Sequence, residues 1–204
     1  MLILAFLAAA IIVAVIYVKA AGAVMWKGVL MFAAIFVALN LVYIMFVAIM
    51  SLFVSNTKPI VKQNPLCRSA CVGVTGLLLG YCWVRTHITG LDKLSDAGRF
   101  VFISNHRSGF DPLIVLNRLK KYDIAFISKP SNMALPFIGR IAHGAGCLPI
   151  DRENDRNALV SILQAADYIK RDVCSIGIYP EGTRSRDGAL LPFHAGSFKI
   201  AQKA

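Results

Sequence analysis

The chain has 204 residues, enough for one ordinary domain with additions, and it is 57% hydrophobic. Its 22 Lys and Arg outnumber 11 Asp and Glu, which directs attention to anionic partners, either nucleic acid or a lipid surface. The five cysteines form no Cys-x-x-Cys and have no histidine at metal-ligand spacing, which argues against both a disulfide framework and a zinc site.

Two kinds of sequence meet near Ser55. Before it, Lys19 and Lys27 are the only charged residues; beyond it lie twenty Lys and Arg and all eleven acids. Met1 to Val18 is unbroken apolar sequence, close to the length of about 20 residues that crosses a bilayer. Leu30 to Val54 is a second such run, interrupted only by Asn40 and Ser51, and Lys19 to Lys27 connects the two. Residues 1–54 therefore read as two transmembrane helices in a hairpin. A cleaved signal peptide ending near Ala20-Ala21-Gly22-Ala23 is the competing reading, but it lacks a basic start and a second long apolar run comes after it. A buried core helix is the other alternative for the first run, and the length of that run speaks against it.

Lys58, Lys62 and Arg68 directly after the second run favour a cytoplasmic location for the remainder of the chain. With two membrane segments and no nucleic-acid motif, an anionic membrane is the more economical partner for the basic surface. Asn56 to Pro65 is polar, with two prolines, and reads as a linker. Leu66 to Val84 is apolar, with Gly73, Gly76 and Gly80 along one side. It is short for a span, so residues 55–84 are expected to be a linker and an interfacial helix; a crossing helix is the alternative.

From there the chain alternates strand and helix. Phe100–Ser104, Ile124–Ser128, Cys147–Asp151 and Ser175–Tyr179 are strand-like, with helices expected at Pro112–Lys121, Leu135–Ile141 and Arg156–Arg171. Asp155 is positioned to cap the last of these, and Leu159, Ile162, Leu163, Ala166 and Ile169 mark its apolar face. Such alternation implies an α/β domain, a sheet with flanking helices, over residues 85–204. Cys147 and Cys174 sit in the strands as small core residues.

Two turns carry chemistry. In Asn105-His106-Arg107-Ser108-Gly109-Phe110-Asp111, the His and Asp lie five apart, about 140° out of line on a continuous helix. In a strand-to-helix turn bent at Gly109 they can converge, and a carboxylate-held imidazole is a general base. The plain alternative is a surface His beside an Asp that caps a helix. The second turn is Pro180-Glu181-Gly182-Thr183-Arg184, where a strand ends at the edge that α/β domains use for ligands. Arg184 can fork onto a phosphate, and Lys129 and Arg152 also come directly after strands, so three cations can meet one anion. A solvated loop is the alternative here. His87, His143 and His194 carry no assigned chemistry.

These pieces resemble the glycerolipid acyltransferases, and most closely the 1-acylglycerol-3-phosphate acyltransferases. His106 through Asp111 looks like the family's His-x4-Asp motif, and Ser128-Lys129 with Pro136 and Gly139 looks like the region after it. Gly146 to Arg152 looks like the second motif and Pro180 to Arg184 like the third. Phe193 to Lys199 is similar to the family's segment beyond the third motif. Pro149 departs from the second motif, so that strand is expected to be interrupted.

The resemblance implies that His106, oriented by Asp111, takes the proton of the 2-hydroxyl of lysophosphatidic acid. The hydroxyl oxygen then attacks an acyl-CoA or acyl-carrier-protein thioester. It further implies that Lys129, Arg152 and Arg184 hold the phosphate while Glu181, Gly182 and Thr183 shape the pocket. No metal or prosthetic group is called for. Backbone amides near Gly109 or in the Gly144–Gly146 turn are candidate oxyanion donors. The chain ends inside an expected helix starting near Ser197, so the domain is expected to be C-terminally incomplete, which leaves as alternatives a non-catalytic, membrane-tethered lipid-binding module or an acyltransferase for another lysophospholipid.

Overall fold

The computed structural model describes residues 2–22, 24–56, 58–94 and 98–204. Met1, Ala23 and Thr57, which fall in the first apolar run, the hairpin connection and the linker, lie outside them. The chain divides into two compact units, Met1–Phe53 and Val54–Ala204.

The first unit is a pair of helices, α1 (Leu2–Ala21) and α2 (Met25–Leu52). The second begins earlier than the apolar count suggests, so Trp26 and Lys27 are helical and the connection is short. Small residues let the two helices approach. Ala10 and Ala14 are buried, and a Cβ on Gly28 would fall 2.5 Å from Val18 Cγ2. The polar interruptions are satisfied locally: Asn40 Nδ2 donates to the Phe36 carbonyl and Ser51 Oγ to that of Ala48. Most of both helices is exposed: the buried residues are Ala10 and Ala14 in α1 and Gly28, Val47 and Ser51 in α2, unlike a helix enclosed in a core. Both are long and apolar enough to cross a membrane.

The second unit is built on a four-stranded parallel sheet in the order β1 (Val101–Ile103), β4 (Ser175–Ile178), β2 (Ile124–Ser128), β3 (Leu148–Pro149). The central strands are buried along their lengths, as expected for a parallel sheet covered on both faces. Val101 is in register with Ile176, and Ala125 with Ile176 from the other side. The third strand is only two residues long because Pro149 has no N–H to extend the ladder.

Helices α3 (Pro65–Tyr81), α4 (Asp111–Arg118) and α6 (Ile138–Gly144) pack together, with the short α5 (Pro130–Met133) leading into α6. Helix α7 (Asp155–Lys170) packs on β3 and β4, beside α8 (Lys199–Lys203). Residues 55–84 thus belong to the same compact unit as 85–204. Arg68, a juxtamembrane charge by its place in the sequence, is buried in α3 and donates to the Ile124 carbonyl at 2.8 Å.

Two details of α7 correct the sequence reading. Its cap is Asn154, whose Oδ1 accepts from the amides of Arg156 and Asn157, while Asp155 is the first helical residue. Its buried stripe is Ile162, Ala165, Ala166 and Tyr168, with Leu159 and Leu163 exposed. The two alanines let the helix sit close to the sheet on a face that larger side chains would hold off.

Because all four strands run the same way, every strand end reaches one edge. Segments 104–111, 129–137, 150–154 and 179–186 therefore share it.

Candidate active site

At that edge the turn after β1 folds back on Asp111. His106 Nδ1 lies 3.0 Å from Asp111 Oδ2, and the same oxygen accepts from the amides of Arg107 and Ser108, each at 2.8 Å. A carboxylate so engaged is an acceptor only, so Nδ1 carries the proton and Nε2 is the free, basic nitrogen. The imidazole also lies flat on Tyr179, ring centroids 4.1 Å apart at 14°, and Tyr179 stacks in turn on Phe126 at 5.3 Å. Burial, and secondarily the charge of Asp111, pushes the Tyr179 phenol up from its ordinary value, so the ring beside the base is neutral.

His106, Lys129, Arg152, Gly182, Thr183 and Arg184 all line one cleft of about 500 Å³. Two residues join them that the sequence reading left out. Arg186 adds a fourth cation, and Tyr179 forms a wall. Tyr179 had one signal available, its position directly before Pro180-Glu181-Gly182; Arg186 had only its place two residues past Arg184. No acid pairs with Lys129, Arg152, Arg184 or Arg186 among the described residues. Burial lowers the pKa of Arg152 from its ordinary value, and with no acid to offset it an anion is the natural partner.

Backbone geometry keeps the cations close to the base. A Cβ on Gly109 would fall 3.3 Å from Arg184 Nη1, so the guanidinium reaches across the turn that holds His106. Gly182 has φ +69°, and a Cβ there would meet the His194 ring at 3.1 Å, so a side chain would be both strained and crowded.

Asp111 and Glu181 stand behind the cleft rather than in its lining. Glu181 is buried, and its Oε1 accepts from Asn105 Nδ2 at 2.9 Å and from the His106 amide at 3.3 Å. It ties the two turns together instead of facing a substrate. The amide of Ser185 closes the same link from the other side, donating to the His106 carbonyl at 2.9 Å.

The Gly144–Gly146 turn is not an oxyanion hole. It precedes β3 and so lies at the strand-start edge, and the amides of Ala145 and Gly146 are taken by Ile141 and His143 carbonyls. Gly109 lines the cleft, and its amide has no partner among the described residues. His143 is a bonded core residue, 2.8 Å from the Lys58 carbonyl.

A second, smaller hollow of about 200 Å³ adjoins the cleft, sharing Ile127, Arg152, Tyr179 and Gly182 with it. Its far walls are largely apolar, with Ile150, Ile162 and Ile178. The arrangement as a whole places a base beside an anion-binding wall, with an apolar recess next to both.

Known proteins are similar to this chain in sequence and in fold. The chain is 35% identical over 124 residues to the chloroplastic 1-acyl-sn-glycerol-3-phosphate acyltransferase BAT2 of Brassica napus, covering 60% of this chain and 35% of that protein. It is 35% identical over 104 residues to the 1-acyl-sn-glycerol-3-phosphate acyltransferase of Escherichia coli, covering 51% and 42%. The chain therefore spans well under half the length of these relatives. The crystal structure of the 1-acyl-sn-glycerophosphate (LPA) acyltransferase PlsC from Thermotoga maritima has the same fold. The TM-score is 0.56 at 19% identity, over 98% of this chain and 69% of that one. The acyltransferase family profile matches residues 85–204, more than half of the chain, and the chain belongs to that family.

Proposed function

We propose that the protein is a membrane-bound O-acyltransferase that moves a fatty acyl group from acyl-CoA or acyl-carrier protein to the 2-hydroxyl of 1-acylglycerol-3-phosphate, giving phosphatidic acid. One observation carries the reading: a carboxylate-held imidazole opens onto a cleft lined by four cations with no acid partner among the described residues.

His106 Nε2 takes the proton of the 2-hydroxyl as its oxygen attacks the thioester carbonyl. Asp111 stabilises the imidazolium that forms, and the Gly109 amide is the available donor for the tetrahedral oxyanion. Collapse of that intermediate breaks the carbon–sulfur bond, and the imidazolium returns its proton to the leaving thiolate. Arg184, Arg152, Lys129 and Arg186 hold the phosphate, and the adjoining hollow suits an acyl chain. Helices α1 and α2 anchor the chain in the bilayer, and Lys58 and Lys62 after them favour a cytoplasmic catalytic domain beside an anionic membrane.

The test is acyl transfer from acyl-CoA to lysophosphatidic acid by membranes containing the protein. His106→Ala lowers turnover by about 10² to 10⁴ with substrate binding retained. Arg184→Ala raises KM at least about tenfold, the expected loss for one charge-assisted phosphate contact. A wild-type protein that binds lysophosphatidic acid without turning it over is a lipid-binding module, and an unchanged KM removes Arg184 from the phosphate site.

A further inference from the structure

Between β2 and the first turn of α6 the chain runs from Lys129 to Gly139, and its two halves face different surroundings. Lys129, Ser131 and Asn132 line the cleft. Beyond them, Leu135, Phe137 and Ile138 are 47%, 48% and 56% exposed, with Pro136 also exposed between them. Four consecutive uncovered apolar residues are an error on a water-facing surface unless they meet something apolar.

The loop is built to present them. Phe137 is held at φ +61° and ψ −51°, the strained γ-turn conformation, closed by the Ile138 amide donating to the Pro136 carbonyl. It persists because both ends are fixed: the Gly139 amide donates to the Leu135 carbonyl and the Ile141 amide to the Phe137 carbonyl. A Cβ on Gly139 would run into the Met133 carbonyl, so the turn closes only with glycine there. Charge completes the pattern. Lys129 and Arg140 flank the apolar tip, and no Asp or Glu occurs between Asp123 and Asp151.

We propose that this loop enters the bilayer at the mouth of the cleft. Leu135, Phe137 and Ile138 sit among acyl chains while Arg140, beyond the apolar tip, meets lipid phosphates and Lys129 stays in the cleft, the division of labour of an interfacial segment. A lipid acceptor then moves from the membrane to His106 along the same loop, over Ser131 and Asn132, with its acyl chain leaving lipid late. The substrate half of this picture rests on the acyltransferase reading; the insertion itself does not.

Both are tested with the full chain in vesicles of phosphatidylcholine and phosphatidylglycerol. The two native tryptophans, Trp26 and Trp83, are replaced by Phe, and a single reporter is introduced as Phe137→Trp or, as control, Lys170→Trp. Lys170 is exposed at the end of α7, at the strand-start edge. Lipids brominated in the acyl chain are expected to quench the reporter at 137 strongly and the one at 170 little. Equal quenching at the two positions overturns the proposal and leaves the face to a protein partner.

In the second arm, Phe137→Ser with Ile138→Ser lowers turnover of vesicle-borne lysophosphatidic acid about tenfold, the scale of losing one buried aromatic contact. Turnover of a monomeric short-chain analogue is unchanged. An equal loss on both substrates overturns the route from lipid to cleft. A wild type without turnover sinks the acyltransferase reading while the quenching result stands.

Discussion

His106 is constrained from several sides: by Asp111 at Nδ1, by the Tyr179 ring on its face, and by Glu181 and Ser185 at its backbone. Each constraint has a separable signature. A parallel ring stack is worth roughly 0.5–1.5 kcal/mol beyond its area, so Tyr179→Leu is expected to lower kcat by up to about tenfold at unchanged KM. The Tyr179 hydroxyl is buried with no partner among the described residues. Tyr179→Phe keeps the ring and removes that orphan group, so it retains wild-type kcat and raises the melting temperature, by about 1 kcal/mol of stability. Steady-state kinetics and thermal unfolding of the two variants separate stacking from hydroxyl chemistry. A fall in kcat for the Phe variant equal to that of the Leu variant removes the stack from the mechanism.

The two edges of the sheet divide their work. At the strand-start edge Arg99 bridges Asp172 at 2.7 Å and Asp123 at 3.0 Å, tying together the segments that enter β1, β4 and β2. Arg68 adds a bond from α3 to the Ile124 carbonyl and approaches Asp123 at 3.7 Å. A hydrogen bond from a charged group contributes about 1.5–3 kcal/mol, and removing it leaves a buried carbonyl bare. Arg68→Leu is therefore expected to destabilise the second unit by about 2 kcal/mol, read as a lower denaturation midpoint, while the strand-end site keeps its KM. A large KM change in the folded variant would mean that the edges are coupled.

This division also explains how much of the structure is legible in the sequence. The strand Ile124–Ser128 is legible from its unbroken apolar run, and the dyad from its turn-forming glycine. The role of Arg68 is not, because its partner is a backbone carbonyl 56 residues away. Glu181 is expected to shape the pocket on the resemblance alone, since the sequence shows its turn but not which way its carboxylate points. The stripe on α7 is misjudged where two alanines outrank leucines, since closeness of approach rather than hydrophobicity selects the buried face there.

At the scale of the whole molecule, the thiols report on integrity. Burial pushes Cys174 up to about 12, helped by neighbouring Cys147, and Cys147 is raised by burial as well. Cys82 is exposed. A maleimide is expected to modify Cys82 in the native protein and to reach Cys147 and Cys174 only on unfolding, which peptide mapping after a short pulse checks. Early modification of Cys174 would mean that the sheet opens under native conditions.

The strand order has a final consequence, for synthesis. Of these four strands β4 is made after the other three, yet it lies between β1 and β2. While a ribosome works through the roughly seventy residues separating β1 from β4, neither earlier strand has its eventual neighbour on that side. The nascent chain must therefore keep two bare ladders from pairing with other polypeptides until the central piece arrives. Stalled chains ending before Ser175 should consequently be protease-sensitive along Val101–Ile103, and chains long enough to release Ile178 from the exit tunnel protected there.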